Sequence, residues 1–455
     1  MIKFLYDNSP IFFQNIMCSV YGYLEKKNRF GRGFQSNLIS LCESEYFSKE
    51  KIVDNQRIKL SNSLRIAKKL NIYRCLNDVS FENIENDPFS VLQKINVMTK
   101  SELINVVSDY KGKGKVVKTS GTTGKCLSVI RDGNLTSYQW AVWFRHRARF
   151  GVKLNDVSVN FTGKPLLPPN RKSRKVWRYN AAQNQYLICM QSINDDNIHG
   201  LVKFLNTINP KFYSGYPSII FQLADTARRF GLKIEESSVP EVVFFGAENV
   251  LDYQRHEISS WLGPKPVLTD QYGLTEANCN FSRCEQGMYH EDFEFSYIEL
   301  IDFEKNEDGS KTGRLIGTTL ENSTFPLLRY DTGDIATFAP DGFKCSCGRE
   351  SRVIFHVDGR KDDYIITSDG RKIMRLDYLF KNTHEVTEAQ VIQEQLGSLI
   401  IKCVPSRLFE KSIFEKKIIS SFQEYIDKNM KIDFEYVASI ERSSTGKFKA
   451  VVNRL

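Results

Sequence analysis

The stretch Val116-Val117-Lys118-Thr119-Ser120-Gly121-Thr122-Thr123-Gly124-Lys125 gathers four hydroxyl side chains, two glycines and a lysine into the seven residues 119–125. Glycines let backbone N–H groups turn inward on an anion, hydroxyls add donors and the lysine supplies charge, so the chemistry such a loop serves is phosphate binding. It is not a Walker A loop, because its glycines stand too close together and Cys126 follows the lysine. A plain Gly/Ser/Thr turn is the competing reading. A second constellation is Cys284, His290, Cys345 and Cys347. Three thiolates and one imidazole make a tetrahedral structural zinc set, although the spacing is not that of zinc fingers. The alternative is a set of unconnected small buried residues, with Cys279 an unused neighbour or substitute ligand. Other polar residues recur beside glycines: Glu276 after Tyr272-Gly273-Leu274-Thr275, Asp331 and Asp334 around Thr332-Gly333, and Lys447 after Ser444-Thr445-Gly446. Taken singly, they read as a solvated loop glutamate, an Asp-Gly turn and a solvated lysine. The charged run with Arg171, Lys172, Arg174 and Lys175 is a solvated loop or a landing place for a phosphorylated or pantetheine-bearing acceptor.

The elements that must position these residues follow from length and pattern. A chain of 455 residues calls for two or more domains, and 41 % hydrophobic with 26 % charged residues is an ordinary globular composition. A formal charge of +9 suits a phosphate-bearing ligand or an anionic surface but does not demand nucleic acid, and none is expected as a partner. Between residues 116 and 357, short apolar runs at 157–161, Val242–Phe245 and 267–269 pass into Gly-rich or polar loops. These loops are Thr162-Gly163, Gly246-Ala247-Glu248 and Asp270-Gln271-Tyr272-Gly273. Helical stretches such as Pro217–Arg229, with Ile220, Leu223, Ala224 and Ala227 on one face and Gly231 as a stop, lie between them. This alternation predicts an α/β domain with parallel strands, whose ligands gather beyond the strand ends. Near Gly359-Arg360-Lys361-Asp362-Asp363 the texture changes to a small α+β unit, with a hairpin of 388–393 and 399–404 around Gly397 and an amphipathic helix at 411–428. The expected division is an N-terminal body of 1–360, opened by a helical lead-in of 1–107, and a C-terminal domain of 361–455.

In the lead-in, Phe13, Ile16, Met17, Val20 and Leu24 form an apolar stripe at helical spacing, followed by Lys26, Lys27, Arg29 and Arg32. Two readings compete: a helix docked on the body, and an interfacial helix held to an anionic membrane by its basic tail. No apolar stretch is long enough to span a bilayer. The N-terminus lacks the apolar core and cleavage site of a secretory signal, and the ten cysteines read as reduced. A cytoplasmic protein is expected, with peripheral contact at the inner membrane face under the second reading.

With the motifs in order, the sequence resembles the adenylate-forming superfamily of acyl-CoA synthetases and peptide-synthetase adenylation domains. The resemblance rests on 119–125, Tyr272-Gly273-Leu274-Thr275-Glu276, Arg329-Tyr330-Asp331-Thr332-Gly333-Asp334, Gly359-Arg360-Lys361-Asp362-Asp363 and Ser444-Thr445-Gly446-Lys447. Gly215-Tyr216-Pro217-Ser218, Gly246-Ala247-Glu248 and Cys345-Ser346-Cys347-Gly348-Arg349 are similar to the phenylacetate–CoA ligase family. Pro10-Ile11-Phe12-Phe13-Gln14-Asn15 and Tyr21-Gly22 resemble its CapK-like branch, often associated with capsule or O-antigen clusters.

The resemblance implies a large multi-part α/β body with a small mobile α+β C-terminal domain, and an ATP-dependent, AMP-forming ligase. Thr119, Ser120, Gly121, Thr122, Thr123, Gly124 and Lys125 would hold the β- and γ-phosphates; Glu276, beside Thr275, would help place Mg²⁺. Asp334 would take the ribose hydroxyls, Tyr272 with Gly273 would face adenine, and Gly246, Ala247 and Glu248 would line the base. Arg360 would contact ribose or phosphate, Asp362 would be the hinge, and Lys447 would bridge phosphate and carboxylate oxygens. Tyr213, Tyr216, Pro217 and Ser218 are candidate lining of the acid pocket. Relatives with comparable Cys/His clusters favour structural Zn²⁺ at Cys284, His290, Cys345 and Cys347. The acceptor implied is CoA, a carrier-protein thiol, or an amine on a sugar or amino acid, in a surface-polysaccharide setting. Two alternatives are an adenylyltransferase that leaves AMP on its product and a catalytically silent binding protein of the same fold.

Overall fold

The computed structural model describes residues 2–70, 73–110, 113–118, 128–162, 166–167, 175–189, 192–360, 364–368, 370, 372–373, 376, 385–406, 409–442 and 448–455. The chain forms two compact units, Met1–Gly22 with Leu154–Asp270 and Gly359–Leu455, and Tyr23–Lys153 with Gln271–Asp358.

The first unit is built on the expected parallel sheet. Strands Gln185–Cys189, Ser158–Thr162, Phe212–Gly215, Val242–Phe245 and the start of Val267–Gly273 lie side by side in parallel, with Trp177–Asn180 antiparallel at the edge. All four residues of Val242–Phe245 are buried, as a strand covered on both faces requires. Helix Pro217–Arg229 opens on a proline in its first turn and buries Ile220, Leu223, Ala224 and Ala227 against Val159, Phe161 and Val243. Helices Ile198–Leu205 and Asp252–Leu262 add Leu201, Leu205, Ile258 and Trp261 to the same core. In its C-terminal part, strands Val386–Gln395 and Ser398–Pro405 form the hairpin around Gly397, flanked by Val451–Asn453 and Lys431–Tyr436 in parallel. Helix Lys411–Tyr425 packs Phe414, Ile418 and Phe422 onto that sheet through Val391 and Ile401.

The N-terminal helix Ile11–Arg29 docks with the face opposite to its apolar stripe. Its buried residues are Gln14, Cys18 and Gly22, and Phe13, Ile16, Val20 and Leu24 are exposed. The docking is polar: Arg178 Nε donates to Gln14 Oε1 at 2.6 Å, Tyr179 N to Asn15 Oδ1 at 3.0 Å, and Ala181 N to Ser19 Oγ at 2.9 Å. A Cβ at Gly22 would lie 2.1 Å from Asn180 Oδ1, so only glycine allows this approach. The helix is docked, as one of the two readings expects, and hydrogen-bond complementarity rather than the apolar stripe decides which face turns inward. No helix among the described residues is long and apolar enough to cross a membrane.

The second unit departs from the parallel pattern expected as far as residue 357. From Gln271 onward the paired strands Asn280–Arg283, Tyr289–Glu291 and Val353–Arg360, and Ser296–Lys305, Lys311–Thr319 and Tyr330–Phe338, run antiparallel. The cause is the tight turns that replace helical crossovers, such as Cys284–Met288, closed by Cys284 N to Met288 O at 2.8 Å. Val267–Gly273 is also longer than the 267–269 expected, so Tyr272 and Gly273 end a strand rather than sit in a loop. Helix Lys49–Lys69 packs Leu60, Leu64 and Ala67 against Phe325, Leu327 and Leu328.

Helix Leu135–Arg149 carries a buried cation of this unit. Arg145 Nη2 donates to Asp292 Oδ1 at 2.6 Å, and Nη1 to Glu294 Oε1 at 2.6 Å and to Leu41 O at 2.8 Å. Burial raises the Asp292 pKa against the pull of Arg145; in Glu294 the same burial is outweighed and its pKa falls. Arg145→Met should lower stability by about 3–5 kcal/mol, because it leaves two buried carboxylates without their cation. Urea denaturation checks this, and an unchanged midpoint would contradict the role given to Arg145.

Candidate functional site

The residues singled out in the sequence divide between the two units. In the second, the strand ending at Gly273 carries Tyr272, whose hydroxyl donates to Asp334 Oδ2 in strand Tyr330–Phe338. The Tyr272 ring stacks on Phe281, with centroids 5.1 Å apart and planes at 22°. Gly273 must be glycine, since a Cβ there would stand 2.5 Å from Asn280 Oδ1. Asp331 is committed elsewhere: it accepts from Arg314 Nη2 at 2.8 Å and from Gly333 N at 2.9 Å. The two aspartates of this motif therefore differ, Asp334 pairing with the aromatic residue and Asp331 building the turn.

The turn that bears Thr275 and Glu276 is closed by Ala277 N donating to Leu274 O at 3.1 Å. A residue missed in the sequence holds it. Arg131, buried at the end of strand Ser128–Arg131, donates through Nη2 to the Thr275 carbonyl and through Nη1 to Gln139 Oε1 at 3.0 Å. Burial pulls the Arg131 pKa down to about 10, against the opposing effect of Glu276, so it stays charged at neutral pH. Strand Ser128–Arg131 pairs antiparallel with Lys115–Lys118, with Lys118 opposite Ser128. Residues 119–125, the expected phosphate loop, lie outside the described residues, but the strands on either side of them are joined through Arg131 to the Thr275–Glu276 turn. A lone arginine after a loop carries no motif, so only proximity to Glu276 identifies it.

The first unit carries Gly246, Ala247 and Glu248 in the loop after Val242–Phe245. Glu248 does not stand free beside a base. Its carboxylate accepts from Ser218 N at 3.3 Å and from Phe448 N at 2.8 Å, and burial raises its pKa. Arg442 forms an ion pair with Glu388 and lies 4.4 Å over the Phe448 ring. The segment 443–447, with Lys447, lies outside the described residues, as does Asp362; Arg360 ends strand Val353–Arg360. Both neighbours of the lysine segment, Arg442 and Phe448, are nevertheless pinned, and Phe448 is pinned to the Gly-Ala-Glu loop. Of the acid-pocket candidates, Tyr216 is half-buried, and Tyr213, Pro217 and Ser218 are buried. The Tyr213 ring packs on Phe161 and its hydroxyl has no hydrogen-bond partner among the described residues, whereas the Ser218 hydroxyl lies beside the Glu248 carboxylate. Lys175 is the one described residue of the four in the charged run.

The Cys/His set is assembled in the second unit. One ligand atom from each of Cys284, His290, Cys345 and Cys347 lies within 4.8 Å of the others. The Cys284 and Cys345 sulfurs are 3.8 Å apart, and Cys347 Sγ is 3.3 Å from His290 Nε2. Arg349 clasps the two cysteine-bearing loops by donating to both carboxylate oxygens of Glu285 at 2.8 and 3.0 Å. Burial, with Arg149 and Arg349 adding to it, lowers the His290 pKa to about 4, which leaves a neutral imidazole, the form that ligates metal. Cys279, the possible substitute, is fully buried among Phe281, Tyr289 and Ile298. A closed set of three sulfurs and one nitrogen fits a tetrahedral d¹⁰ cation.

Residues 365–454 match the family model of the CapK C-terminal domain. The solved structure of 2-hydroxyisobutyryl-CoA ligase in the postadenylation state with 2-HIB-AMP is alike in fold, with a TM-score of 0.67, 15 % identity, and 90 % of this chain and 91 % of that one covered. Protein CapK of Staphylococcus aureus is 25 % identical, with 100 % of both chains covered. The chain is thus similar to that CapK protein over its full length, and in fold to an acyl-CoA ligase. The phenylacetate-coenzyme A ligase of Thermus thermophilus is 31 % identical over 174 residues, 36 % of this chain and 37 % of that one. The large body and separate C-terminal domain expected for this fold are thus present.

Glu248→Ala should free Phe448 and open the chain at Arg442 and Lys449 to trypsin. Limited proteolysis should then run about threefold faster or more at these two sites, as for other locally released segments. An unchanged cleavage rate would show that the Glu248 tether is not what holds this segment.

Proposed function

We propose that the protein is an ATP-dependent, AMP-forming ligase that activates a carboxylate as acyl-AMP and hands the acyl group to a thiol or an amine. The observation that carries this reading is the joining, through Arg131, of the strands flanking residues 119–125 to the Thr275–Glu276 turn. In such a reaction a carboxylate oxygen attacks the α-phosphorus of ATP, an O–P bond forms, and the bond to pyrophosphate breaks. A nucleophile then adds to the acyl carbonyl, loses its proton and expels AMP. Both steps depend on charge neutralisation and positioning. Residues 119–125 would hold the β- and γ-phosphates and Glu276 the Mg²⁺, which supplies positive charge to the phosphate oxygens when bound. Tyr272 and Asp334 would seat adenine and ribose. Glu248 would act one step away, by holding the chain next to Lys447.

The Tyr213 hydroxyl, without a partner among the described residues, favours an acid that carries a hydrogen-bonding group, because a buried hydroxyl left unpaired costs about 1–3 kcal/mol. CoA, a carrier thiol or a sugar amine would be the acceptor, in a reducing cytoplasm and in the service of a surface polysaccharide. The resemblance to the CapK-like branch supports that setting. The C-terminal domain from residue 361 would swing about Asp362 between the two steps, since the acceptor must reach the carbonyl that Lys447 first attends.

Lys447→Ala should lower acid-dependent pyrophosphate release by ~100-fold or more with little change in ATP affinity, because the lysine meets charge that develops between the reactants. Release at the wild-type rate, measured across a panel of carboxylic acids, would remove Lys447 from the reaction. Zn²⁺ at the Cys₃His set would be structural. Elemental analysis of protein prepared without chelators should give about one zinc per chain, and Cys345→Ser should lower the melting temperature more than the rate of the chemistry. Protein free of zinc with an unchanged melting curve would contradict the site.

A further inference from the structure

Helix Ile11–Arg29 is amphipathic in the reverse of the usual sense. Its inner face presents Gln14, Asn15, Ser19 and Gly22 to hydrogen-bonding partners on strand Trp177–Asn180 and the turn after it. Its outer face is apolar. Phe12, Phe13, Ile16, Val20 and Leu24 are between 43 % and 70 % exposed, and Phe4 of the preceding helix Ile2–Asn8 is 72 % exposed. Scattered exposed hydrophobics are ordinary, but residues three and four apart on one helix make a continuous strip. Tyr21 and Tyr23 flank the strip, each 55 % exposed, with the amphipathic rings that favour a lipid–water boundary.

Charge decides what covers it. No Asp or Glu lies on the strip, and Glu25 on its flank is already paired with Arg29 at 2.7 Å. Lys27 sits at the C-terminal end of the strip, 5.7 Å from the Tyr23 ring centre; Lys26 precedes it on the same helix and exposed Arg32 follows the helix end. A second protein copy would have to bring acidic groups to this end, whereas an anionic bilayer offers a hydrocarbon boundary and a negative surface together. We propose that this helix is an interfacial anchor that lies in the headgroup region of an anionic membrane, with Phe12, Phe13, Ile16, Val20 and Leu24 in the acyl boundary and Lys26, Lys27 and Arg32 on the phosphates. The anchor does not rest on the ligase reading.

The test is flotation of the full chain with phosphatidylcholine vesicles, with and without phosphatidylglycerol. The chain should float with the anionic vesicles. Phe13→Glu/Val20→Glu should weaken partitioning about tenfold or more, and Lys26→Glu/Lys27→Glu/Arg32→Glu should remove the preference for phosphatidylglycerol. The Phe13→Glu/Val20→Glu variant alters only exposed positions and should keep its melting curve and its pyrophosphate release, so a failed anchor and a failed ligase reading are told apart. Hydrogen exchange of the wild-type chain, which needs no variant, should slow in residues 4–24 on adding anionic vesicles. Three results would overturn the proposal: a chain left unbound by both vesicles, protection only outside residues 4–24, or a lipid-free dimer that Phe13→Glu/Val20→Glu dissociates.

Discussion

A desolvated cation, Arg145, fixes the strands of the second unit around Tyr272. Arg145 cannot be buried without anions, and Asp292 and Glu294 supply them at 2.6 Å. Asp292 also accepts from Asn280 Nδ2 at 2.5 Å and from Ser282 Oγ at 2.6 Å, which fixes the strand that pairs with Gln271, Tyr272 and Gly273. Asn280 Oδ1 takes a bond from Trp143 Nε1 at 2.9 Å, so helix Leu135–Arg149 holds the same strand from a second point. The place of Tyr272, and with it the contact to Asp334, is therefore set by a charge that touches neither. Buried ion pairs add little net stability over apolar packing, but they admit few alternative arrangements, and the latter property suits a site whose rings and carboxylates must keep their register.

Much of the architecture was legible. Val242–Phe245 and Pro217–Arg229 are read correctly because a run of buried apolar residues and a 3.6-residue stripe each have one good solution. The hairpin around Gly397 follows from alternation and a glycine. The antiparallel stretch after Gln271 was missed because its turns, such as Cys284-Glu285-Gln286-Gly287-Met288, resemble loops that could equally precede a helix. For the N-terminal helix, the inward face was illegible for a different reason. Hydrophobic periodicity identifies the apolar face but not which face is inward, and here Gln14, Asn15 and Ser19 meet a strand edge that needs hydrogen bonds more than apolar cover.

The candidate site was legible as motifs and illegible as couplings. The four metal-type ligands could be named, but their convergence depends on Arg349 reaching Glu285 across a loop of unrelated sequence. Glu276 could be named, but nothing in the pattern joined it to Arg131, more than a hundred residues earlier in the chain. Glu248 could be placed near the base by resemblance, yet its carboxylate is spent on the backbone of Ser218 and Phe448. Such links run through side chains that carry no motif of their own. The candidate residues are spaced along the chain, and side chains outside the motifs hold them in place.

The central claim is that a carboxylate oxygen becomes bonded to the α-phosphorus of ATP. The most direct measurement is to turn over the protein with a heavy-oxygen-labelled acid, ATP and an acceptor, and to weigh the AMP by mass spectrometry. The account predicts AMP that carries one label, inherited when the acyl–phosphate bridge breaks on the carbonyl side. Unlabelled AMP with the label in inorganic phosphate, or an acceptor that retains the adenylyl group, would contradict it.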